Sequence, residues 1–333
     1  MLHRSKKSQQ VLGIHVSRSA LTLARVLRHP DALEITQLFH EPLPRDPGTW
    51  PADRVGAVLR LAKRSVNMNA EQAHITLASD LAPNHFFTMP AMKPDQMANA
   101  VKLQLENKWG SAGSELCFEF KAFEKRGERC RVFAPSIPLE TLHQILASFL
   151  AVKCRIDLLE VEAVSVTNLL VHCDLVSSAP VAVLDVGPEA SEIHIVRRKR
   201  VVLSRSIAKP ENEAIKIDDD PVAPRKEESV GTPVEGVGLD PNYAGRLSRE
   251  ANKTLDYFEI ELLAPPVERM LLIGEASGSP ALVSYLGQEL DLTVRPVGAG
   301  NRIQDRTGQF EPALHAVAAA AAAGERQGAS DEN

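Results

Sequence analysis

The chain has 333 residues, 44% of them hydrophobic and 24% charged, which excludes a wholly disordered, collagenous or membrane-embedded protein. At roughly 100 to 200 residues per domain, it holds two domains or one large two-part unit. The 38 basic and 43 acidic residues leave a net charge of −5, so no global cationic field exists and nucleic acid is not an expected partner.

Cys117, Cys130, Cys154 and Cys173 show neither CxxC spacing nor the density of a disulfide scaffold, and read as reduced thiols of a cytosol. No segment approaches the ~20 apolar residues of a bilayer-spanning helix, and the run Ala316 to Ala323 is nearly all alanine. The opening MLHRSKKSQQ is basic but lacks the apolar stretch of a signal peptide. The expectation is a cytoplasmic protein with no direct membrane insertion.

Apolar alternation predicts strands at Val11 to Val16, Ala20 to Leu27 and Leu33 to Phe39, then a helix carrying Val55, Leu59, Ala62 and Val66. A strand at Ala73 to Ala78 follows. The segment MPAMKPDQMANAVKLQLENKW predicts a Pro-bounded entry into a helix with Met97, Val101, Leu105 and Trp109 on one face. Strands at Cys117 to Phe123 and Cys130 to Ala134, and a helix bearing Leu142, Leu146 and Phe149, complete a small α/β module. Beyond it come a strand near Arg155 to Leu159 and a helix from Val161 to His172.

The order then recurs. Val181 to Val186, Glu192 to Val196 and Val201 to Ile207 read as strands, followed after an interruption by a helix with Leu247, Ala251, Leu255, Phe258 and Leu262. GIHVSRSALTLARV from Gly13 overlies VLDVGPEASEIHIV from Val183 without a gap at an offset of 170, which sets His15 on Asp185 and Ser17 on Gly187. The interruption, residues 209–240, holds nine acidic and four basic residues and four prolines. Such a stretch cannot bury enough apolar area to offset its ordering entropy, so it reads as a flexible linker or exposed loop.

Duplicated strand-strand-strand-helix halves, an inserted module and a hairpin at the extreme N-terminus together resemble the actin-like, ribonuclease-H-type superfamily. Within it the sequence resembles the type IV pilus assembly family of PilM, relatives of the division protein FtsA. Gly13-Ile14-His15-Val16-Ser17 resembles the family's GIDIG, and Met89-Pro90-Ala91-Met92 with the helix Asp95 to Trp109 resembles its MPAM and acidic helix. Val183-Leu184-Asp185-Val186-Gly187 is similar to the second phosphate hairpin. Leu255-Asp256-Tyr257-Phe258 with Leu271-Leu272-Ile273-Gly274 resembles the LDYF helix and the adenosine-side glycine turn.

The resemblance implies an α/β, duplicated ribonuclease-H-like (actin-like) two-lobed fold with a small α/β insertion in the first lobe. Its expected parts are a flexible arm 1–10, a first core lobe 11–83 and 152–178, the inserted module 84–151, a second core lobe 179–208 and 241–324, the linker 209–240 in place of a helical subdomain, and a disordered tail 325–333.

In that superfamily two hairpins grip nucleotide phosphates with backbone N–H groups while carboxylates orient a hydrated divalent metal. Glycine lets such a turn reach positive φ and lets amides converge on an anion, and a carboxylate is the hard oxygen ligand that Mg²⁺ favours. A nucleotide site, if retained, would draw on Gly13, His15, Ser17, Arg18, Asp185, Gly187, Gly274 and Ser277.

Several of these depart from the pattern. His15 stands where the family shows Asp, and an imidazole is a poor Mg²⁺ partner. Ser17 replaces a glycine. Arg18 is either a solvated turn residue or a direct phosphate ligand. Asp185 and Gly187 are kept, Asp185 either capping local amides or holding a residual metal, the one metal ligand expected if there is any. Pro188 removes one donor N–H, and Glu275 adds negative charge beside Gly274. Ser277 or Ser279 could cap the helix carrying Leu282 and Leu286.

A cleft lacking a helical wall cannot exclude water or clamp adenosine well. The expectation is therefore a degenerate nucleotide site, that of a pseudo-ATPase with no catalytic residues and no required cofactor; ATP with Mg²⁺ enters only if the site still functions. The ten histidines are scattered without zinc-site spacing, no GxSxG, HExxH or GxxxxGK[ST] motif is present, and Cys173 at the end of an apolar helix reads as a packed thiol.

The family resemblance implies a cytoplasmic scaffold of a type IV pilus or related assembly machine, recruited to the inner face of the inner membrane. It would bind the cytoplasmic N-terminal peptide of an inner-membrane PilN-like protein in a groove between the first core lobe and the insertion, in the region of Met89, Met92 and Val101. The alternatives are an active ATP-binding actin-like switch and a GspL-like type II secretion component. The second would continue into a transmembrane helix, which this sequence does not show. Self-association in the manner of FtsA is a further expectation to test.

Overall fold

A computed structural model describes residues 8–29, 31–43, 52–69, 72–110, 115–187, 190–208, 241–274, 276–297, 302–308 and 310–321. The expected N-terminal arm up to residue 7, Pro188, the acidic stretch 209–240, Glu275 and the tail 325–333 lie outside them.

In chain order the elements are β1 (Gln9–Val16), β2 (Ala20–Arg28), β3 (Leu33–Pro42), α1 (Ala52–Ser65), β4 (Gln72–Leu77), β5 (Asn84–Pro90), α2 (Pro94–Trp109), β6 (Leu116–Phe118), β7 (Lys121–Arg126), β8 (Arg129–Pro138), α3 (Leu139–Ala151), β9 (Leu158–Val161) and α4 (Glu162–His172). They continue with β10 (Val181–Val186), β11 (Ala190–Arg197), β12 (Arg200–Ala208), α5 (Pro241–Asp256), a π-helical turn (Tyr257–Glu261), β13 (Arg269–Ile273), α6 (Pro280–Leu290), β14 (Thr293–Pro296), β15 (Ile303–Asp305) and α7 (Phe310–Ala321). They divide into two units, Met1–Leu175 with Ala299–Asn333, and Val176–Gly298.

The first unit is built on a sheet of order β15-β3-β2-β1-β4-β9. Along β1, Val11, Leu12, Gly13 and Ile14 are buried in succession, so both faces of this central strand are covered, as parallel and mixed sheets require. Helix α7 packs on β1, β2, β3 and β4 and on α4. Its residues Ala316 to Ala321 are all buried, and this small-residue surface lets the helix axis approach the sheet closely. An ideal Cβ on Gly13 would lie only 1.8 Å from the Ala316 carbonyl oxygen, so the strand meets the helix backbone where only a glycine fits. The imidazole Nδ1 of buried His74 sits 3.2 Å from the Ala319 carbonyl oxygen and ties β4 to the same helix.

This placement corrects the expected limits of the second lobe. Both β15, parallel to β3, and α7 belong with the first sheet rather than with residues 241–298. The alanine run that composition marked only as too plain for a membrane span is a core helix. Among the described residues no helix is long and apolar enough to cross a membrane.

Between β4 and β9, strands β5, β8 and β6, with β7 paired to β8, form a separate sheet. Helix α2 closes over it with Met97, Val101 and Leu105 against Met89, Cys130, Val132 and Ala134. The single strand expected at Cys117 to Phe123 is two, β6 and β7, because each pairs with a different stretch of the long strand β8.

The second unit repeats the plan, with sheet order β12-β11-β10-β13-β14 against β3-β2-β1-β4-β9. The repeat extends to register: Val11 pairs Val26 and His15 pairs Thr22 in the first hairpin, while Val181 pairs Val196 and Asp185 pairs Glu192 in the second. Every one of these positions is displaced by 170, the offset read from the sequence. Helix α5 packs on β11 and β12 through Tyr243, whose buried hydroxyl lies 2.6 Å from Ser191 Oγ. The duplicated α/β architecture is the expected one.

Candidate functional site

The β1–β2 turn, expected as a first phosphate hairpin, has the backbone N–H groups of residues 17–20 bonded within the protein. Ser17 N–H donates to the Ala20 carbonyl at 3.0 Å. Ser17 Oγ accepts from Ser19 N–H at 3.3 Å and from Ala20 N–H at 2.9 Å. Arg18 N–H donates to the Asp80 carboxylate at 2.9 Å, and the Arg18 guanidinium Nε donates to the Asp80 carbonyl at 3.0 Å. Asp80 lies in the turn that follows β4, which is held against the hairpin by Ala78 N–H donating to the Val16 carbonyl at 2.9 Å.

The amides of residues 17–20 thus converge on acceptors supplied by the protein, one of them a carboxylate anion. Sequence reasoning left Arg18 as either solvated or phosphate-facing. Asp80 holds it instead, across 62 residues of chain.

Two positions earlier, His15 faces a cluster that the sequence did not reveal. Its Nε2 lies 3.8 Å from Glu162 Oε1, and His315 Nδ1 lies 3.0 Å from the same oxygen. The two imidazole centroids are 4.8 Å apart with planes tilted by 32°. The side chains of His15, Glu162 and His315 are 12%, 8% and 13% exposed. Glu162 is the first residue of α4, where the helix N-terminus favours a negative charge. His315 comes from α7, directly before the alanine surface that packs on β1. Gly13, expected within β1 and in the nucleotide set, sits mid-strand beneath that helix.

In the second unit Asp185 is buried at the end of β10. Gly274, just after β13, adopts φ +88°, and a Cβ there would fall 2.5 Å from Asp185 Oδ1 and 2.7 Å from the Val186 carbonyl oxygen. The glycine is therefore fixed twice, by its backbone angle and by the carboxylate pressed against it. Gly187 lies in the β10–β11 turn, where a Cβ would meet the Ala190 carbonyl oxygen at 2.6 Å. Buried Ser277 closes the turn after β13 through its N–H to the Gly274 carbonyl at 3.1 Å. Ser279 is the residue that caps α6, its Oγ accepting from Leu282 N–H at 3.1 Å. The structure thus gathers Asp185, Gly187, Gly274 and Ser277 at the ends of β10 and β13.

No protein-family model matches the sequence and no curated protein matches it. Among solved structures, the chain is similar to one from a PilM–PilN type IV pilus biogenesis complex, with a TM-score of 0.66 at 18% identity over 93% of this chain and 97% of that one. The fold is PilM-like and actin-like. It also compares with a Bacteroides thetaiotaomicron protein described as having an actin-like ATPase fold and unknown function, at TM-score 0.48, 12% identity and coverage of 89% and 94%. A third is the cytoplasmic domain of EpsL, an inner membrane component of the type II secretion system of Vibrio cholerae, at TM-score 0.44, 11% identity and coverage of 93% and 95%.

In this PilM-like chain the residues expected near a peptide groove are largely interior. Val101 is 0% exposed and Met89 7% exposed within the core between α2 and its sheet, and Met92 packs partly buried against them. The first two are corrected to packing residues, since a side chain closed on all sides offers no surface to a partner. Trp109, read as packing, donates its indole N–H to Ser136 Oγ at 2.9 Å. Among its described large apolar side chains, the module presents Leu103 on α2, 61% exposed, and Leu150 on α3, 72% exposed, to solvent.

The four cysteines are free thiols. Burial pushes the Cys154 thiol up to about 11, with the nearby Asp157 carboxylate adding to the effect and Lys63 opposing it. Burial likewise pushes Cys173 up to about 11 against the opposing field of Arg302. Both are inert in the manner of packed thiols. Alkylation followed by mass mapping at pH 8 is expected to label Cys154 and Cys173 about 100-fold more slowly in the native chain than in the unfolded one.

Proposed function

We propose that this protein is a non-catalytic scaffold of a type IV pilus or related assembly machine. It works on the cytoplasmic side of the inner membrane and docks the cytoplasmic N-terminal peptide of an inner-membrane PilN-like partner. The observation that carries this reading is the fold similarity, along nearly the whole of both chains, to a component of a PilM–PilN complex. The module between β4 and β9 carries Leu103, an exposed apolar position at which that reading is probed.

The first hairpin supports the loss of nucleotide turnover. For its amides to grip a phosphate, the anion would have to displace Ser17 Oγ and the Asp80 carboxylate, and would meet that carboxylate's negative charge. His15 offers an imidazole there, a poor partner for Mg²⁺ and its waters. These residues do not fit a Mg-nucleotide, and no step is assigned to one. The retained Asp185 and Gly187 favour the second reading, an ATP-binding switch, only on the side of the second unit.

The test uses synthetic N-terminal peptides of candidate inner-membrane partners, titrated against the full chain by fluorescence anisotropy. Saturable binding is expected with one of them, weakened at least about tenfold by Leu103→Glu and absent after deletion of residues 84–151. Undiminished binding by the deletion variant would contradict the module as the docking element.

A further inference from the structure

The cluster of His15, Glu162 and His315 has no part in peptide docking, yet it brings two imidazoles and a carboxylate from three separate elements to one buried point. Three features make that point chemically specific. The donor set is two nitrogens and one oxygen, which suits zinc and its neighbours in the transition series and is a poor match to Mg²⁺ or Ca²⁺, whose sites are made of oxygens. The spacing also fits. Ligand atoms held about 2.0–2.1 Å from a tetrahedral zinc lie about 3.3 Å from one another, and the separations of the two imidazole nitrogens from Glu162 Oε1, 3.0 and 3.8 Å, bracket that value. Finally, the donors are fixed by the frame: His15 by its pairing with Thr22 in β1–β2, Glu162 by its place at the head of α4, and His315 by the close seating of α7 on β1.

We propose that His15 Nε2, Glu162 Oε1 and His315 Nδ1 bind one divalent transition-metal ion of the zinc type. The ion cross-links β1, α4 and α7 of the first unit and leaves a fourth position for water or another ligand. Metal binding requires both histidines neutral at the coordinating nitrogen and the carboxylate ionised. Glu162 together with α4, on one side, and α7 on the other would then be clamped to the central strand. The site is independent of the docking reading, since neither α2 nor its sheet contributes a donor.

The full chain, stripped with a chelator, is titrated with zinc by calorimetry and separately with cobalt(II) under visible spectroscopy. One metal per chain is expected, with the visible bands of a low-coordinate nitrogen-oxygen site on cobalt addition. His315→Ala and His15→Ala should each weaken zinc binding by roughly 100-fold, at least the loss that removal of an outer-shell partner produces. His143→Ala, an exposed histidine on α3, should leave it unchanged. Absence of stoichiometric binding and of cobalt bands in the unmodified chain overturns the proposal even if a variant misfolds. Equal affinity of His315→Ala and the parent overturns it as well.

Discussion

Replacing Gly13 by alanine is expected to destabilise the protein by about 3 kcal/mol or more, seen as a lower urea midpoint with an unchanged slope. Insertion of a single methylene into a packed core costs about 1–3 kcal/mol when neighbouring side chains can shift. Here the obstacle is not a side chain. The added Cβ would lie 1.8 Å from the Ala316 carbonyl oxygen and 2.8 Å from its carbon, so relief requires α7 to move off the sheet. That movement would open the contacts of Ala316, Val317 and Ala320 with the strands and pull His315 away from Glu162. Gly56→Ala in α1 is the control. Its Cβ would meet nothing closer than Arg60 Nη1 at 3.6 Å, and the change should stabilise the chain by about 0.5–1 kcal/mol through helix propensity. A neutral Gly13→Ala would mean that α7 does not seat on β1 as described.

Gly274→Ala is expected to cost about 2–4 kcal/mol, combining two penalties. At φ +88° an L-residue is strained by about 1–2 kcal/mol, and the new methyl would be driven to 2.5 Å from Asp185 Oδ1. Gly308→Ala separates the two contributions, because Gly308 also has positive φ, +72°, but nothing lies within 4 Å of its would-be Cβ. Its substitution should cost only the backbone strain, about 1–2 kcal/mol. Thermal and chemical unfolding of the two variants checks the ranking. Equal losses at positions 274 and 308 would show that neither Asp185 nor the Val186 backbone resists the added methyl.

The central hairpins were legible in the sequence because each carries its own constraint. Strands buried on both faces read as runs such as VLGI and VAVLDV, and a two-residue period that repeats over 170 positions fixes register as well as identity. Elements stabilised from a distance were not legible. The three-residue strand β15 exists only because β3 offers a parallel edge, and β5, NHFFTMP, not expected as a strand, forms as the antiparallel partner of β8.

The site shows the same division. His15, Ser17 and Asp185 follow from the hairpin pattern, whereas Asp80 meets Arg18, and Glu162 and His315 meet beside His15, only through the fold, from a turn, a helix start and a helix interior with no local signature. Gly13 carried a second, packing signal. A glycine in mid-strand marks a close backbone approach, and the alanine run near the other end of the chain was its complement.

The account stands on a first phosphate clasp whose donors are spent on Ser17, Ala20 and Asp80. The most direct measurement is the unfolding temperature of the full chain with and without ATP and Mg²⁺, supported by calorimetric titration. No stabilisation and no binding heat are expected at millimolar nucleotide. A nucleotide-dependent rise in stability, which at 100 times the dissociation constant would amount to about 2.7 kcal/mol, would contradict it.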